Sequence, residues 1–249
     1  FYSWLSASNK RCTYVWGQSL KEYISEGSEK SKTNFKQFDI YGKPFVFSQP
    51  FKNKINLEYI KSKIESLVPE YFFDNVDAFF VGYVKEFFED NREYNAMYKD
   101  GAIYLSPDQD SERDLLDDIV HELAHAVEKA YENKIYGDGR LEREFVAKRK
   151  YLYYLIGDKE YDLEAYANPE YNNDFDQHLY KNIGYDKLRA VSSELFYSPY
   201  AATALREYWA NGFENYLLRS AGKLKEISPV LFQKIEQFFN FGRNNNGEY

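Results

Sequence analysis

Residues 117–128 (DDIVHELAHAVE) constrain this chain more than any other stretch, because they place two histidines four positions apart. On a helix, His121 and His125 lie on one face, one turn above the other, and two neutral imidazoles at that spacing can bind one zinc ion. Glu122 lies beside them, where it can hold a water on the metal and take its proton. This H-E-x-x-H signature is typical of zinc-dependent peptidases and suits the hydrolysis of an amide.

Apolar residues surround the motif and predict that its helix is buried. They are Leu115, Leu116, Ile119, Val120, Leu123, Ala124 and Val127. The alternative is a surface helix that carries two ordinary histidines. The chain has only 3 histidines, two of which lie here, and an unpaired polar group in a dry interior is costly. The pattern therefore favours a metal site over the surface helix.

The composition narrows the classes of function. A formal net charge of −8 argues against a general binder of nucleic acid or of anionic membranes, since both need a basic surface. The single cysteine, Cys12, excludes an intrachain disulfide and a cysteine-based zinc site. No apolar run approaches the roughly 20 residues that span a bilayer, and no secretory signal opens the sequence. These features predict no membrane span and leave secretion and virion association open.

Hydrophobic spacing and turn residues predict an α+β chain. The predicted elements are a hairpin over 35–48, a helix over 56–68, a strand over 77–84, a hairpin over 94–105, the metal helix to about residue 133, mostly helical structure over 141–197, and helices over 204–220 and 228–240. Asp108 or Ser111 is expected to cap the metal helix. The strand at 102–105 is either an inner strand or an edge that pairs with an extended peptide substrate.

A catalytic zinc site needs a third protein ligand besides the two histidines, and one open position. Glu142 and Glu144 lie about twenty residues beyond His125, the distance at which thermolysin-type enzymes supply a glutamate. Their neighbourhood also reads as a charged, solvated helix face. His178, within a polar segment, is a further candidate. Local spacing therefore leaves the third ligand open.

A second motif lies much later in the chain. Residues 207–213 have the sequence EYWANGF, and Tyr200 stands seven positions before Glu207. Together with the H-E-L-A-H helix, this stretch resembles the catalytic domain of anthrax lethal factor and its relatives, which include the Pro-Pro endopeptidases. The resemblance implies that Glu207 is the third zinc ligand and that the phenol of Tyr200 faces the metal. Tyr197, three residues earlier, is the rival for that phenol.

The chain also departs from the family's pattern. Asn211 stands where the family has a second glutamate, at a position that supports the metal ligands. The gap between His121 and Glu207 is longer than in lethal factor, so the resemblance implies a helical insertion at about 134–197. It covers roughly residues 75–240. We therefore expect a metallopeptidase domain over 71–249 and an N-terminal segment of unknown role over 1–70.

The expected fold is zincin-like, with a small, mostly antiparallel sheet over the metal helix and a mainly helical C-terminal lobe. The expected function is that of a zinc endopeptidase, with Zn²⁺ held by His121, His125 and Glu207. Glu122 is expected to activate a zinc-bound water as general base, and Tyr200 to donate a hydrogen bond to the reacting carbonyl. A peptide or protein substrate would lie extended along the strand at 102–105.

A second class of function stays open beside the enzyme. The chain could be a non-catalytic binding or assembly module, in a phage virion or a toxin complex, that retains a metallopeptidase fold. The intact H-E-x-x-H motif argues against this alternative, because loss of activity usually accompanies loss of the ligands or the glutamate. Hydrolysis of something other than a peptide is also compatible with these ligands.

Overall fold

The computed structural model describes residues 38–85, 87 and 94–245, so the first 37 residues of the predicted N-terminal segment lie outside the described part. Five strands form one sheet within it: β1 (Asp39–Ile40), β2 (Lys43–Phe47), β3 (Ala78–Val81), β4 (Ala96–Lys99) and β5 (Ala102–Leu105). The described α-helices are α1 (Leu57–Leu67), α2 (Glu112–Tyr136), α3 (Arg140–Ile156), α4 (Leu163–Ala167), α5 (Asn173–Gln177), α6 (Tyr185–Ser192), α7 (Leu205–Leu218), α8 (Ala221–Ile227) and α9 (Pro229–Asn245). The predicted α+β class is confirmed.

The sheet is mixed, which corrects the prediction that it is mostly antiparallel. Its strand order is β1-β2-β3-β5-β4. The two hairpins, β1–β2 and β4–β5, are antiparallel, whereas β2–β3 and β3–β5 are parallel. The parallel pairing of β2 with β3 arises because α1 carries the chain back across the sheet between them. A sequence shows hairpins through their turns, but it does not show this crossover pairing.

The strand that precedes the metal helix lies inside the sheet. β5 pairs with β3 on one side and with β4 on the other, and all four of its residues are buried. The predicted hairpin over 94–105 is present. Its turn residues, Asp100 and Gly101, both have positive φ, as a two-residue hairpin turn requires. This turn places β4 on the outside of β5, so β4 forms the edge of the sheet. The expectation that a substrate strand pairs with residues 102–105 is therefore wrong, and among the described strands it is β4 (Ala96–Lys99) that lies at this edge of the sheet.

Residues before the predicted boundary at 70 belong to the same core as the metal helix. Ile60 and Ile64 form the buried stripe of α1 and pack into one cluster with Phe45 of β2 and Ile119 of α2. The described residues form one compact unit. The unit therefore begins before residue 71, because α1 and the first hairpin bury their apolar faces against the rest of the chain.

Residues 134–197 form a mostly helical region, as predicted. Gly157 ends α3 in the left-handed conformation, and Asn168 ends α4. The buried Arg149 of α3 donates hydrogen bonds to the carbonyl oxygens of Ala165, Asn168 and Thr203. Since Thr203 lies just before α7, Arg149 ties this region to the start of that helix. Among the described helices, none has the length and apolar character needed to cross a membrane.

Candidate metal centre

The metal helix begins where the sequence predicted. Ser111 caps α2 by accepting a hydrogen bond from the backbone N–H of Asp114, and acidic residues occupy the first turn. That arrangement suits the positive end of the helix dipole. Ala124 and Val127 of α2 are buried, as expected. His121 and His125 lie on the same turns, on the side of α2 that meets the later motif.

α7 brings the later motif against this face of α2. Trp209 is fully buried, and its indole Nε1 donates a 3.0 Å hydrogen bond to the carbonyl oxygen of Ala124. Phe213, one turn further along α7, is also buried in the core. Both residues belong to the main hydrophobic core. The contact at Ala124 fixes the first turn of α7, and therefore Glu207, beside the two histidines.

Three predicted ligands meet at one point. Glu207 Oε2 lies 3.1 Å from His121 Nε2 and 3.5 Å from His125 Nε2. Zinc bonds of 2.0–2.2 Å in a tetrahedron separate ligand atoms by about 3.4 Å, so these atoms fit around one ion. In the part of the chain that the structure describes, this is the one group of His, Cys, Asp or Glu side chains that could hold a metal ion.

The cluster is buried, and its charges are coupled. Burial alone would raise the pKa of Glu207, but the imidazoles of His125 and His121 hold it well below its usual range. Burial opposes the imidazolium of His121, yet the carboxylates of Glu207 and Glu214 hold the pKa of His121 well above its usual value. Without metal, the ionised carboxylate therefore stabilises protonated imidazoles. A cation that binds here would neutralise the carboxylate in place of the imidazolium groups and would displace their protons.

Each ligand has a polar partner on the side that faces away from the cluster. Glu128 Oε2 lies 2.9 Å from His125 Nδ1, and Glu214 Oε2 lies 3.7 Å from His121 Nδ1. Arg206 Nε lies 3.5 Å from Glu207 Oε1, the oxygen that does not approach the histidines. Such partners orient metal ligands. The sequence pointed to Asn211 as the position that supports the metal ligands. In the structure, Glu214, three residues later, is the carboxylate beside His121.

Glu122 points toward the edge of the sheet. Its Oε2 accepts a 2.6 Å hydrogen bond from the backbone N–H of Tyr98 in β4. Glu122 also lines a cavity of about 310 Å³ together with His121, His125 and Glu207. The carboxylate predicted to act as general base thus lies between the edge strand β4 and the cluster of His121, His125 and Glu207.

Tyr200 lines the same cavity. Its ring centroid lies 6.2 Å from that of His121. A short 3₁₀ turn, Tyr200–Ala202, presents the ring, and Thr203 Oγ1 closes the turn by donating to the Tyr200 carbonyl oxygen at 2.8 Å. Tyr197 instead lines a separate pocket beside α6. The structure therefore brings Tyr200, and not its rival, to the candidate site.

The three alternative third ligands lie elsewhere. His178 is buried, with Nε2 2.7 Å from Asp158 Oδ2. Glu142 is exposed on α3. Glu144 turns away from the histidines and accepts hydrogen bonds from the backbone N–H groups of Val230 and Leu231. Spacing along the chain suggested Glu142 and Glu144, and a polar segment suggested His178, but none of the three belongs to the cluster of His121, His125 and Glu207.

Glu144→Ala is expected to lower the free energy of unfolding by about 2 kcal/mol, because it removes the acceptor at the start of α9 and the partner of the Tyr208 hydroxyl. Denaturant unfolding of the metal-free chain measures the loss. Zinc affinity is expected to stay unchanged. A large loss of zinc affinity without a loss of stability would return Glu144 to the list of ligands.

A larger cavity of about 660 Å³ adjoins the site, and Tyr98, His125, Tyr171 and Arg206 border both cavities. Tyr171 comes from the loop between α4 and α5. Its hydroxyl donates to Asp176 Oδ2 at 3.3 Å and hydrogen-bonds with Tyr94 near the start of β4. The predicted insertion thus supplies one wall of the cleft. No sequence signal identified Tyr98, Tyr171 or Arg206, because only the fold brings them to the site.

Comparison with known proteins gave no match: no protein-family model, curated protein or solved structure is similar to this chain at a significant level.

Proposed function

We propose that this chain is a zinc-dependent endopeptidase of the zincin-like, lethal factor-related group. The cluster of His121, His125 and Glu207 carries the proposal, because its atoms fit one ion and it lies in a cleft. Two histidines and a glutamate form the ligand set of several zinc peptidases. The same residues carry the resemblance to the lethal factor-like enzymes.

The three ligands leave the cavity side of the cluster open for the reacting groups. Bound there, zinc would act as a Lewis acid that polarises the scissile carbonyl and lowers the pKa of water. The buried, oriented donor set suits that ion. The neutral nitrogens and the carboxylate oxygen are donors that zinc prefers, and cysteine is absent among them.

Glu122 moves the proton in this mechanism. Its carboxylate accepts a proton from the attacking water and later passes that proton to the amine nitrogen of the leaving peptide. In the free chain the Tyr98 N–H holds one carboxylate oxygen, Oε2, at 2.6 Å. That hydrogen bond fixes the orientation of Glu122 and leaves the other oxygen for the water.

The edge strand β4 binds the substrate as an added strand. Lys99 pairs with Ala102 next to the two-residue turn, so Lys99 and Met97 direct their backbone groups toward β5. Ala96 and Tyr98 therefore direct theirs outward. Since the Tyr98 N–H already donates to Glu122, the substrate would pair with the backbone of Ala96 and with the Tyr98 carbonyl. Pairing of this kind uses the middle of a polypeptide and needs no free terminus, which favours an endopeptidase.

Tyr200 stabilises the transition state by donating a hydrogen bond to the tetrahedral oxyanion. Tyr200→Phe is expected to lower kcat for peptide cleavage by about 10²-fold with little change in KM, because the contact forms mainly in the transition state. Steady-state kinetics on one peptide measures both constants. Tyr197→Phe is the matched control and should leave both constants unchanged. Equal kinetics in the parent and Tyr200→Phe would remove this hydrogen bond from the mechanism.

Metal content and peptide cleavage together test the proposed function. Elemental analysis of the purified chain should find one zinc per chain, and a library of peptides should be cut by the zinc-loaded chain only. A chelator should remove metal and cleavage together, and added zinc should restore both. A chain without affinity for metal would contradict the proposal and favour the binding or assembly module.

A further inference from the structure

The metal helix carries a carboxylate that takes no part in the proposed chemical steps. Glu128 lies one turn beyond His125 on α2, and both of its oxygens have partners. Oε2 lies 2.9 Å from His125 Nδ1, and Oε1 accepts a 2.6 Å hydrogen bond from the Tyr136 hydroxyl. The side chain is only 15% exposed. A carboxylate that is buried to this extent needs hydrogen-bond partners to replace water.

Tyr136 reaches Glu128 from the same helix, eight residues further on. On a straight helix, eight residues span about 12 Å, which is long for one side-chain contact. The backbone of α2 leaves helical geometry at Tyr131, with φ −126° and ψ 24°, between the two residues. This kink alters the course of the last turns. Burial, together with the negative charge of Glu128, raises the pKa of Tyr136, so its hydroxyl keeps the proton that it donates.

We infer that Glu128, supported by Tyr136, is a positioning residue that fixes His125 as a metal ligand. The inference rests on the proposed function, in which His125 binds zinc through Nε2. Because Glu128 accepts at Nδ1, it keeps a proton on that nitrogen when zinc binds and leaves Nε2 as the donor atom for the metal position beside Glu207 Oε2. Tyr136 acts through Glu128 and keeps the carboxylate turned toward the histidine.

The two histidines are held unequally. Glu214 lies 3.7 Å from His121 Nδ1, longer than a hydrogen bond, and its other oxygen accepts from Arg219 at 3.1 Å. Glu128 makes a short contact with His125 instead. Removal of the Glu128 charge is therefore expected to weaken metal binding more than removal of the Glu214 charge.

Zinc affinity of the full chain tests the inference without relying on catalysis. Competition with a chelator of known affinity measures the Kd of the parent and of each variant. Glu128→Gln keeps the shape of the side chain and is expected to weaken zinc binding by about 10- to 100-fold. Tyr136→Phe should weaken it by a smaller factor. The double variant should bind no more weakly than Glu128→Gln alone, because Tyr136 acts through Glu128.

Glu132→Gln is the matched control, since it removes the same charge from an exposed position on the same helix. Its zinc affinity should equal that of the parent. Parental affinity in Glu128→Gln, or an equal loss in Glu132→Gln, would overturn the inference. If Glu128→Gln does not fold, Tyr136→Phe decides, because it keeps the carboxylate: weaker zinc binding supports the inference and parental binding overturns it.

The outcome for this inference can be separated from that for the proposed function. A parent chain that binds zinc but cuts no peptide would contradict the endopeptidase, whereas the Kd values of the variants would still decide the role of Glu128. A parent chain that binds no zinc would overturn both.

Discussion

Glu122→Gln is expected to lower the rate of peptide cleavage by about 10²–10⁴-fold while the chain keeps its fold and its zinc. The amide of glutamine cannot accept a proton from water, although it has the same shape as the carboxylate. Glu122 is not one of the three residues whose side chains converge on the metal position, so zinc should remain bound. Single-turnover kinetics at saturating zinc measures the loss in the chemical step.

Two controls belong to this experiment. Elemental analysis must find the same zinc content in Glu122→Gln as in the parent, which separates loss of the base from loss of the metal. Glu132→Gln, the same change at an exposed position on α2, should cleave at the parental rate. Full activity in Glu122→Gln would exclude Glu122 as the general base and leave the cleft without an assigned proton acceptor.

Glu207→Gln is expected to abolish most of the stabilisation that zinc gives to the fold. Free zinc at about 1,000 times the Kd stabilises a chain that binds it only when folded by about 4 kcal/mol. Glu207 Oε2 is the atom that both histidines approach, so its loss leaves two ligands on one helix. Denaturant unfolding with and without zinc gives the stabilisation of each chain as a difference.

Taking the difference with and without zinc cancels the effect of the substitution on the stability of the metal-free chain. This correction is needed because Glu207 is buried, and its replacement can itself change that stability. Glu142→Gln is the matched control, since Glu142 was the candidate by spacing and is exposed on α3. It should keep the full zinc-induced stabilisation. An undiminished zinc effect in Glu207→Gln would show that the third ligand is another residue.

The sequence predicted the elements that depend on local patterns. The cap at Ser111, the buried face of α2 and the Asp100-Gly101 turn all follow from residues within one or two turns of each other. His121 and His125 belong to this group, because their spacing fixes their relation on a helix. Contacts between residues far apart in sequence do not follow from local patterns. Glu207 was identified as a ligand through the resemblance and not through spacing.

The order of the strands could not be read from the sequence. β5 is as apolar as an inner strand and directly precedes α2, and both placements were compatible with that pattern. The pairing of β5 with β3 buries it, and this pairing joins segments more than twenty residues apart. The fold therefore shows what the sequence could not, that the edge strand is Ala96–Lys99 and not Ala102–Leu105.

The residues that contact the three ligands also differ in whether the sequence alone could identify them. Glu128 follows His125 by three residues on one helix, so helical spacing alone could have identified it. Arg206 precedes Glu207 on α7 and Glu214 follows it by about two turns, and the role of both depends on how that helix packs against α2. Tyr171 reaches the cleft from a loop in the predicted insertion, and nothing in its local sequence distinguishes it from the other 24 of the 25 tyrosines.

Anomalous diffraction at the zinc edge, from crystals of the zinc-loaded chain, tests the central claim most directly. One strong peak is predicted within about 2.2 Å of His121 Nε2, His125 Nε2 and Glu207 Oε2, with a fourth position open to the cavity. A structure with no peak there, or with the Glu207 carboxylate turned away from a zinc held by other residues, would contradict the assignment of this chain as a zinc peptidase.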